Sequence, residues 1–162
     1  MTLQQLISLD EAASQRIVRW SDNGFRRGLA WLVARTGDSW LWLLISAVLI
    51  WQKQQLGWLL LITVAVAALL TAVAKGLFKR ERPSEKWAIS TDKYAFPSGH
   101  ASRAGAVAVT LAVAFPQWGA LCFLWALLVS LARVALSRHF VMDVAGGLLF
   151  GLVIGVVLQF LY

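Results

Sequence analysis

Residues 104–132 read AGAVAVTLAVAFPQWGALCFLWALLVSLA, a run of 29 positions without a charged side chain. A helix needs roughly 20 apolar residues to cross the hydrocarbon core of a bilayer, so this run exceeds one span and suits two short ones. Pro116 and Gln117 interrupt the run, and proline commonly marks the boundary of a helix. The stretch therefore predicts two membrane helices, at about 101–115 and 118–137, joined by a tight turn.

Further apolar runs lie on both sides of this stretch. Residues 57–74 are 18 uncharged positions, and they predict a spanning helix that continues to about residue 78. A last helix is predicted at about 143–161. Glycines recur in it at four-residue spacing, at Gly147, Gly151 and Gly155. Such a stripe indicates close packing against another helix.

The first third of the chain is more mixed. Residues 39–52 are uncharged but only 14 positions long, so they cross a bilayer only if the helix extends back through 29–34 or the membrane thins locally. Residues 1–35 alternate apolar and charged side chains, which predicts amphipathic helices lying at the interface. We therefore expect one domain, residues 1–162: an all-α, integral-membrane bundle of about five transmembrane helices with an N-terminal interfacial segment.

The composition excludes an ordinary soluble domain. Of 162 residues, 59% are hydrophobic and only 14% are charged. The net charge of +7 fits lipid headgroups or an anionic substrate better than nucleic acid, which we do not expect as a partner. Cys122 is the single cysteine, so an intramolecular disulfide is impossible. The expected location is a membrane, and the sequence leaves the oligomeric state open.

Three polar clusters stand out because polar groups at membrane helices are costly. Counting crossings places all three clusters, which extend over residues 75–143, on one side of the membrane. Their cations, a glycine turn and helix-start amides together predict an anion site, since arginine forks match phosphate oxygens. The clusters are Lys75 with Arg82-Pro83; Pro97-Ser98-Gly99-His100; and Arg133, His139 and Asp143.

Both histidines of the chain fall in this predicted site. Asp143 follows His139 by four positions and is the only acidic residue after Asp92. A carboxylate beside an imidazole fixes its tautomer and leaves the other nitrogen to attack or to accept a proton. Phosphoryl transfer through a phosphohistidine needs one imidazole as nucleophile and a second proton donor for the leaving group. His139 and His100 are the candidates for these roles.

Each element also has a simpler interpretation. A serine before a helix, such as Ser98, is usually a cap. Binding of an anionic lipid without catalysis would need only the cations, so a scaffold or transport subunit is an alternative function. Isolated basic residues at helix ends are usually interfacial anchors, and we interpret four of them in this way: Lys79, Arg80, Arg103 and Arg138.

The clusters resemble the three-part signature of the type 2 phosphatidic acid phosphatase superfamily, KxxxxxxRP, PSGH and SRxxxxxHxxxD. The match is complete except that Ala132 stands where the third part has serine, which removes one possible hydroxyl contact to phosphate. The resemblance implies a nucleophile, His139, oriented by Asp143, and a general acid, His100. It also implies no cofactor and no metal, and phosphate contacts from Lys75, Arg82, Ser98, Gly99 and Arg133.

The resemblance indicates a membrane phosphatase that removes phosphate from a lipid phosphate or diphosphate. Undecaprenyl diphosphate is the first candidate substrate, with phosphatidylglycerophosphate as another. Transfer of phosphate to an acceptor lipid instead of water stays an alternative. Two arguments disagree about the membrane face of the site. The basic N-terminal segment lies on the same side as the site, so the positive-inside rule predicts a cytoplasmic site. The resemblance instead implies a bacterial cytoplasmic membrane with the site on its extracytoplasmic face.

Overall fold

The computed structural model describes residues 2–83 and 93–162, so residues 84–92 of the predicted loop after Arg82 lie outside the described part. The described residues form α-helices and one short 3-10 turn, without a strand. The helices are α1 (Leu3–Trp20), α2 (Gly24–Thr36), α3 (Ser39–Trp51), α4 (Gln55–Phe78), α5 (Gly99–Ala114), α6 (Gly119–Ala135) and α7 (Val141–Leu161), with the 3-10 turn at Pro116–Trp118. The predicted all-α class is confirmed.

Among the described residues, three helices are long and apolar enough to cross a membrane: α4, α7, and α6 taken with the turn before it. The pair α2 and α3, bent by 44° at their junction, gives a fourth span if it counts as one. In this pair, α3 contains the uncharged run at residues 39–52 and α2 contains residues 29–34, through which the run was predicted to extend backward. The remaining predicted span, α5, has 16 residues, which is short for a helix that crosses a bilayer alone.

Helix α5 forms the centre of the bundle and packs against α4, α6 and α7. Its side chains are mostly small, and Ala101, Ala104 and Ala108 are buried. Large apolar side chains point outward instead, as at Leu69 of α4 and Leu149 of α7, both 65% exposed. Small residues inside and large ones outside are what a helix bundle in lipid requires, because close backbone packing rather than water exclusion joins the helices.

The predicted glycine stripe of α7 lies directly on the backbone of α5. A methyl group on Gly151 would overlap Ser102 O, and one on Gly147 would lie 2.6 Å from Ser98 O. Glycine at these positions lets the two helices approach at backbone distance. The contact also joins the ends where the motifs lie, since Ser98 N donates to Asp143 O at 2.9 Å.

The predicted interfacial segment folds as α1 and α2, and α1 docks through its polar face. Asp10, Ser14 and Ser21 are buried, whereas Leu9 is 58% and Trp20 61% exposed. Ser21 Oγ donates to the carbonyl oxygen of Ala135 at 2.9 Å. Helix α1 thus places Asp10 and Ser14 against the protein, with Ile17 packed on the core beside them, while Leu9 and Trp20 face outward.

Candidate active site

The first motif lies at the end of α4 and just beyond it. Lys75 is in the last turn of the helix, which ends at Lys79 in a left-handed conformation with φ of 49°. The chain then turns toward the loop between α6 and α7, where Arg82 Nη1 donates to the carbonyl oxygen of Arg138 at 3.3 Å. This contact brings the first motif beside the third.

The second motif begins α5. The helix begins at Gly99, two residues before the predicted position, so Gly99 and His100 lie in its first turn. Helix-start amides lack partners within the helix and attract anions. Ser98 is the N-cap residue but makes no side-chain capping bond. Its Oγ is buried and has no hydrogen-bond partner among the described residues.

The third motif places His139 in the loop between α6 and α7, next to Asp143 in the first turn of α7. Nδ1 of His139 is 3.8 Å from Asp143 Oδ2, and both side chains are buried. The same Oδ2 accepts a hydrogen bond from Phe140 N at 2.8 Å. The two residues lie next to each other, with His139 in the loop and Asp143 at the helix start as predicted. The distance exceeds a hydrogen bond, as in many catalytic pairs without substrate.

Two cavities meet at His100. One, of about 330 Å³, is lined by Lys75, Gly99 and His100. The other, of about 230 Å³, is lined by His100 and Arg133. Nε of Arg133 is buried and lacks a hydrogen-bond partner among the described residues. His139 lines a different cavity, of about 470 Å³, beside α1. The structure thus brings all predicted site residues to one end of the bundle, with the two imidazoles facing different cavities.

Arg80, interpreted above as an interfacial anchor, is instead the centre of a buried ion-pair network, so that interpretation was wrong. It donates from Nη1 to Asp143 Oδ1 at 2.8 Å and from Nη2 to Asp10 Oδ2 at 2.6 Å. Asp10 also accepts a hydrogen bond from Met142 N at 2.9 Å, and Ser14 Oγ accepts one from Val141 N at 2.9 Å. Helix α1 therefore caps the start of α7 and holds the carboxylate beside His139.

A second carboxylate that sequence reasoning missed pairs with His100. Nε2 of His100 donates to Asp38 Oδ1 at 2.9 Å. Asp38 lies in the junction between α2 and α3, 62 positions before its partner, so local spacing gives no signal for this pair. The sequence does contain a pattern that indicates a role for Asp10. Asp10, Ser14 and Ser21 are polar and are spaced so that they fall on one face of a helix.

Residues 56–161 match the family model "PAP2 superfamily". The chain belongs to the PAP2 superfamily. The matched range contains all three motifs, so the resemblance read from them is confirmed. Within the described part of the chain, no three His, Cys, Asp or Glu residues are grouped so that they could hold a metal ion.

This PAP2 chain is similar to several known proteins, including one named relative and two solved structures. An undecaprenyl-diphosphatase of Sulfolobus acidocaldarius is 30% identical over 146 residues, which cover 84% of this chain and 70% of that protein. The crystal structure of a transmembrane PAP2-type phosphatidylglycerolphosphate phosphatase from Bacillus subtilis has a TM-score of 0.81 at 25% identity, covering 97% of this chain and 86% of that one. Aquifex aeolicus LpxE has a TM-score of 0.78 at 21% identity, covering 93% and 94%.

These findings establish the class of the protein. It is an integral membrane phosphatase of the PAP2 superfamily that acts on lipid phosphates. The all-α fold, the integral membrane character and the hydrolase activity expected from the sequence are thereby confirmed. The roles of individual residues, the particular lipid and the membrane face are proposals.

Proposed function

We propose that this PAP2 protein hydrolyses a lipid diphosphate through a phosphohistidine at His139, without a metal ion. The observation that carries the proposal is the buried His139–Asp143 pair, at the same end of the bundle as Lys75, Arg82 and Arg133. Asp143 faces Nδ1 of the imidazole, which leaves Nε2 as the attacking atom. Cationic side chains supply the stabilisation of negative charge that a metal would give elsewhere.

The phosphate contacts that we propose are the residues of the motif. Ser98 Oγ and Arg133 Nε support this assignment, because each is a buried polar atom without a hydrogen-bond partner among the described residues. Buried polar groups normally have partners, and a phosphate oxygen is an acceptor that suits both. Lys75, Arg82 and the helix-start amide of Gly99 complete the proposed phosphate site.

We propose undecaprenyl diphosphate as the substrate, since the curated relative that is 30% identical has undecaprenyl-diphosphatase as its name. A purified preparation in detergent and excess EDTA should release phosphate from this lipid with a higher kcat/KM than from phosphatidylglycerophosphate. Release without an acceptor lipid identifies hydrolysis rather than transfer. His139→Ala should be inactive, whereas Lys53→Gln, at the other end of α4, should retain full activity. A requirement for a divalent ion would contradict the metal-free mechanism. A preference for phosphatidylglycerophosphate would contradict the proposed substrate.

We also propose that the site faces the extracytoplasmic side of a bacterial cytoplasmic membrane, as the family resemblance indicates. The arginines of α1 and α2 oppose this orientation by the positive-inside rule. Ser90→Cys in a Cys122→Ala background should react with an impermeant thiol reagent in intact cells. Labelling only after the cells are opened would place the site in the cytoplasm.

A further inference from the structure

Asp38 is held in a single arrangement by contacts to both carboxylate oxygens. Oδ1 accepts from His100 Nε2 at 2.9 Å. Oδ2 accepts from the Trp40 indole at 3.2 Å and lies 3.7 Å from Arg35 Nη1. The Asp38 and His100 side chains are 20% and 19% exposed, so the pair is largely shielded from water. The hydrogen bond is therefore a defined contact between two poorly solvated groups.

The position of Asp38 makes this arrangement unexpected. Asp38 is the N-cap residue of α3, and aspartate there commonly accepts a hydrogen bond from a first-turn amide, which contributes about 1 kcal/mol. Asp38 makes no such bond. The helix lacks this stabilisation because the carboxylate turns toward His100. The bend between α2 and α3 thus serves to present a carboxylate to α5.

The electrostatic surroundings give this carboxylate a specific task. Among the described residues that line the two cavities at His100, Asp38 is the only carboxylate. Positive charges around an imidazole disfavour its protonated form, so a general acid here needs a nearby negative charge. The other charged side chains lining these cavities are six cations: Arg35, Lys75, Lys93, Arg103, Arg133 and Arg138.

We propose that Asp38 is a positioning residue for His100: it holds the proton on Nε2 and supplies the counter-charge that lets the ring donate a proton from Nδ1 to the leaving group. This inference rests on the proposed function, which makes His100 the general acid. The environment of Nδ1 fits the assignment, since Arg103 Nη2 lies 3.5 Å from it. A guanidinium can only donate, so without substrate Nδ1 accepts from Arg103, and Nδ1 is the ring atom free to take up the catalytic proton when a phosphate draws Arg103 away.

His139 Nε2 forms a bond to the terminal phosphorus while the bond from this phosphorus to the leaving oxygen breaks. That oxygen takes the bonding electron pair and the proton from His100 Nδ1. The leaving product is the lipid monophosphate when the substrate is a diphosphate, and the lipid alcohol when the substrate is a lipid monophosphate. Water then attacks the phosphohistidine, gives one proton back to His100 Nδ1 and releases phosphate. Throughout both steps Asp38 keeps the Nε2 proton of His100 in place.

The test compares Asp38→Asn and Asp38→Glu with the exposed control Asp22→Asn, on two substrates that differ in leaving group. With phosphatidylglycerophosphate, a lipid monophosphate whose leaving group is an alkoxide, Asp38→Asn should lower kcat/KM by roughly 10- to 100-fold, below the full effect of a lost general acid. With a nitrophenyl phosphate the loss should be less than about fivefold, because nitrophenolate leaves without a proton. Asp38→Glu keeps the charge and should recover part of the activity on the lipid.

Two further readouts separate positioning from a structural role. In Asp38→Asn the fall of kcat/KM on the basic side should move to lower pH, because the imidazolium has lost its counter-charge. The double variant Asp38→Asn/His100→Ala should be no slower than His100→Ala alone. If Asp38→Asn does not purify as a folded protein, Asp38→Glu replaces it in the test. Its kcat/KM should then decrease more on the lipid than on the nitrophenyl substrate.

The outcomes distinguish this inference from the proposed function. If His100→Ala loses activity equally on both substrates, the general-acid assignment itself fails. If His100→Ala depends on the leaving group but the Asp38 variants do not, the role of Asp38 is refuted while the proposed function stands. An equal loss on both substrates together with a lower unfolding temperature would show that Asp38 has a structural role only.

Discussion

Removing the positive charge of Arg80 should destabilise the protein and impair catalysis at the same time. Arg80 pairs with Asp10 and Asp143, whose side chains are 1% and 0% exposed. Breaking a buried ion pair by removing one partner costs about 3–5 kcal/mol, because a charge stays buried without compensation. The Arg80 side chain is 26% exposed, so water can enter and partly solvate the carboxylates. We therefore expect Arg80→Met to cost about 3 kcal/mol, near the lower limit of this range.

The measurement is thermal unfolding of purified protein in detergent. A loss of about 3 kcal/mol corresponds to a decrease in unfolding temperature of roughly 6–12 °C for a domain of this length. Lys79→Met is the matched control, since Lys79 is exposed at the end of α4 and its replacement should leave the temperature within about 2 °C. Adding Asp10→Asn to Arg80→Met removes one uncompensated carboxylate and should recover part of the loss. Equal unfolding temperatures for Arg80→Met and Lys79→Met would refute this reasoning.

Three more outcomes follow from the site and the packing. Acid-quench trapping should find labelled phosphate on the wild type and none on His139→Ala. His100→Ala should form the phosphoenzyme slowly from a lipid monophosphate and less slowly from a nitrophenyl substrate. Label on His139→Ala together with none on His100→Ala would reverse the two roles. Ser98→Ala should lower kcat/KM by roughly 10-fold or more without lowering the unfolding temperature, because the Ser98 hydroxyl has no partner among the described residues. A lower unfolding temperature would instead identify Ser98 as a helix cap. Gly151→Ala should lower the free energy of unfolding by about 1–3 kcal/mol or more, because the added methyl group overlaps α5. Gly28→Ala is the control: the space around Gly28 is open, so this change should be neutral or stabilising. A tolerated Gly151→Ala would mean that the helices are further apart.

The motifs were predictable because their chemistry is local in sequence. Helices in a membrane run from one side to the other, so counting crossings was enough to bring Lys75, His100 and Asp143 to the same end of the bundle. The helix limits were also close, with α5 beginning two residues before its predicted start. The number of crossings and the helix limits both depend on hydrophobicity, which can be read directly from the residues.

The supporting carboxylates were not predictable in this way. Asp10 meets Arg80 across 70 positions, and Asp38 meets His100 across 62. Such contacts depend on how α1 docks and on where α2 and α3 bend, and composition determines neither. The same limit explains the error for Arg80, because a basic residue at a helix end has the same sequence pattern whether it meets lipid headgroups or a buried carboxylate.

The backbone contact between α5 and α7 determines which part of this enzyme can change shape. Where Gly151 lies against Ser102, no layer of side chains separates the two backbones, so the helices that carry His100 and Asp143 have little room to shift relative to each other. The docking of α1, by contrast, depends on side chains such as Ser14 and Ser21, which can adopt new rotamers. A bulkier lipid is therefore easier to accommodate at the docking of α1 than between α5 and α7. Because Asp10 and Arg80 connect this docking to Asp143, a change there also affects the carboxylate beside His139.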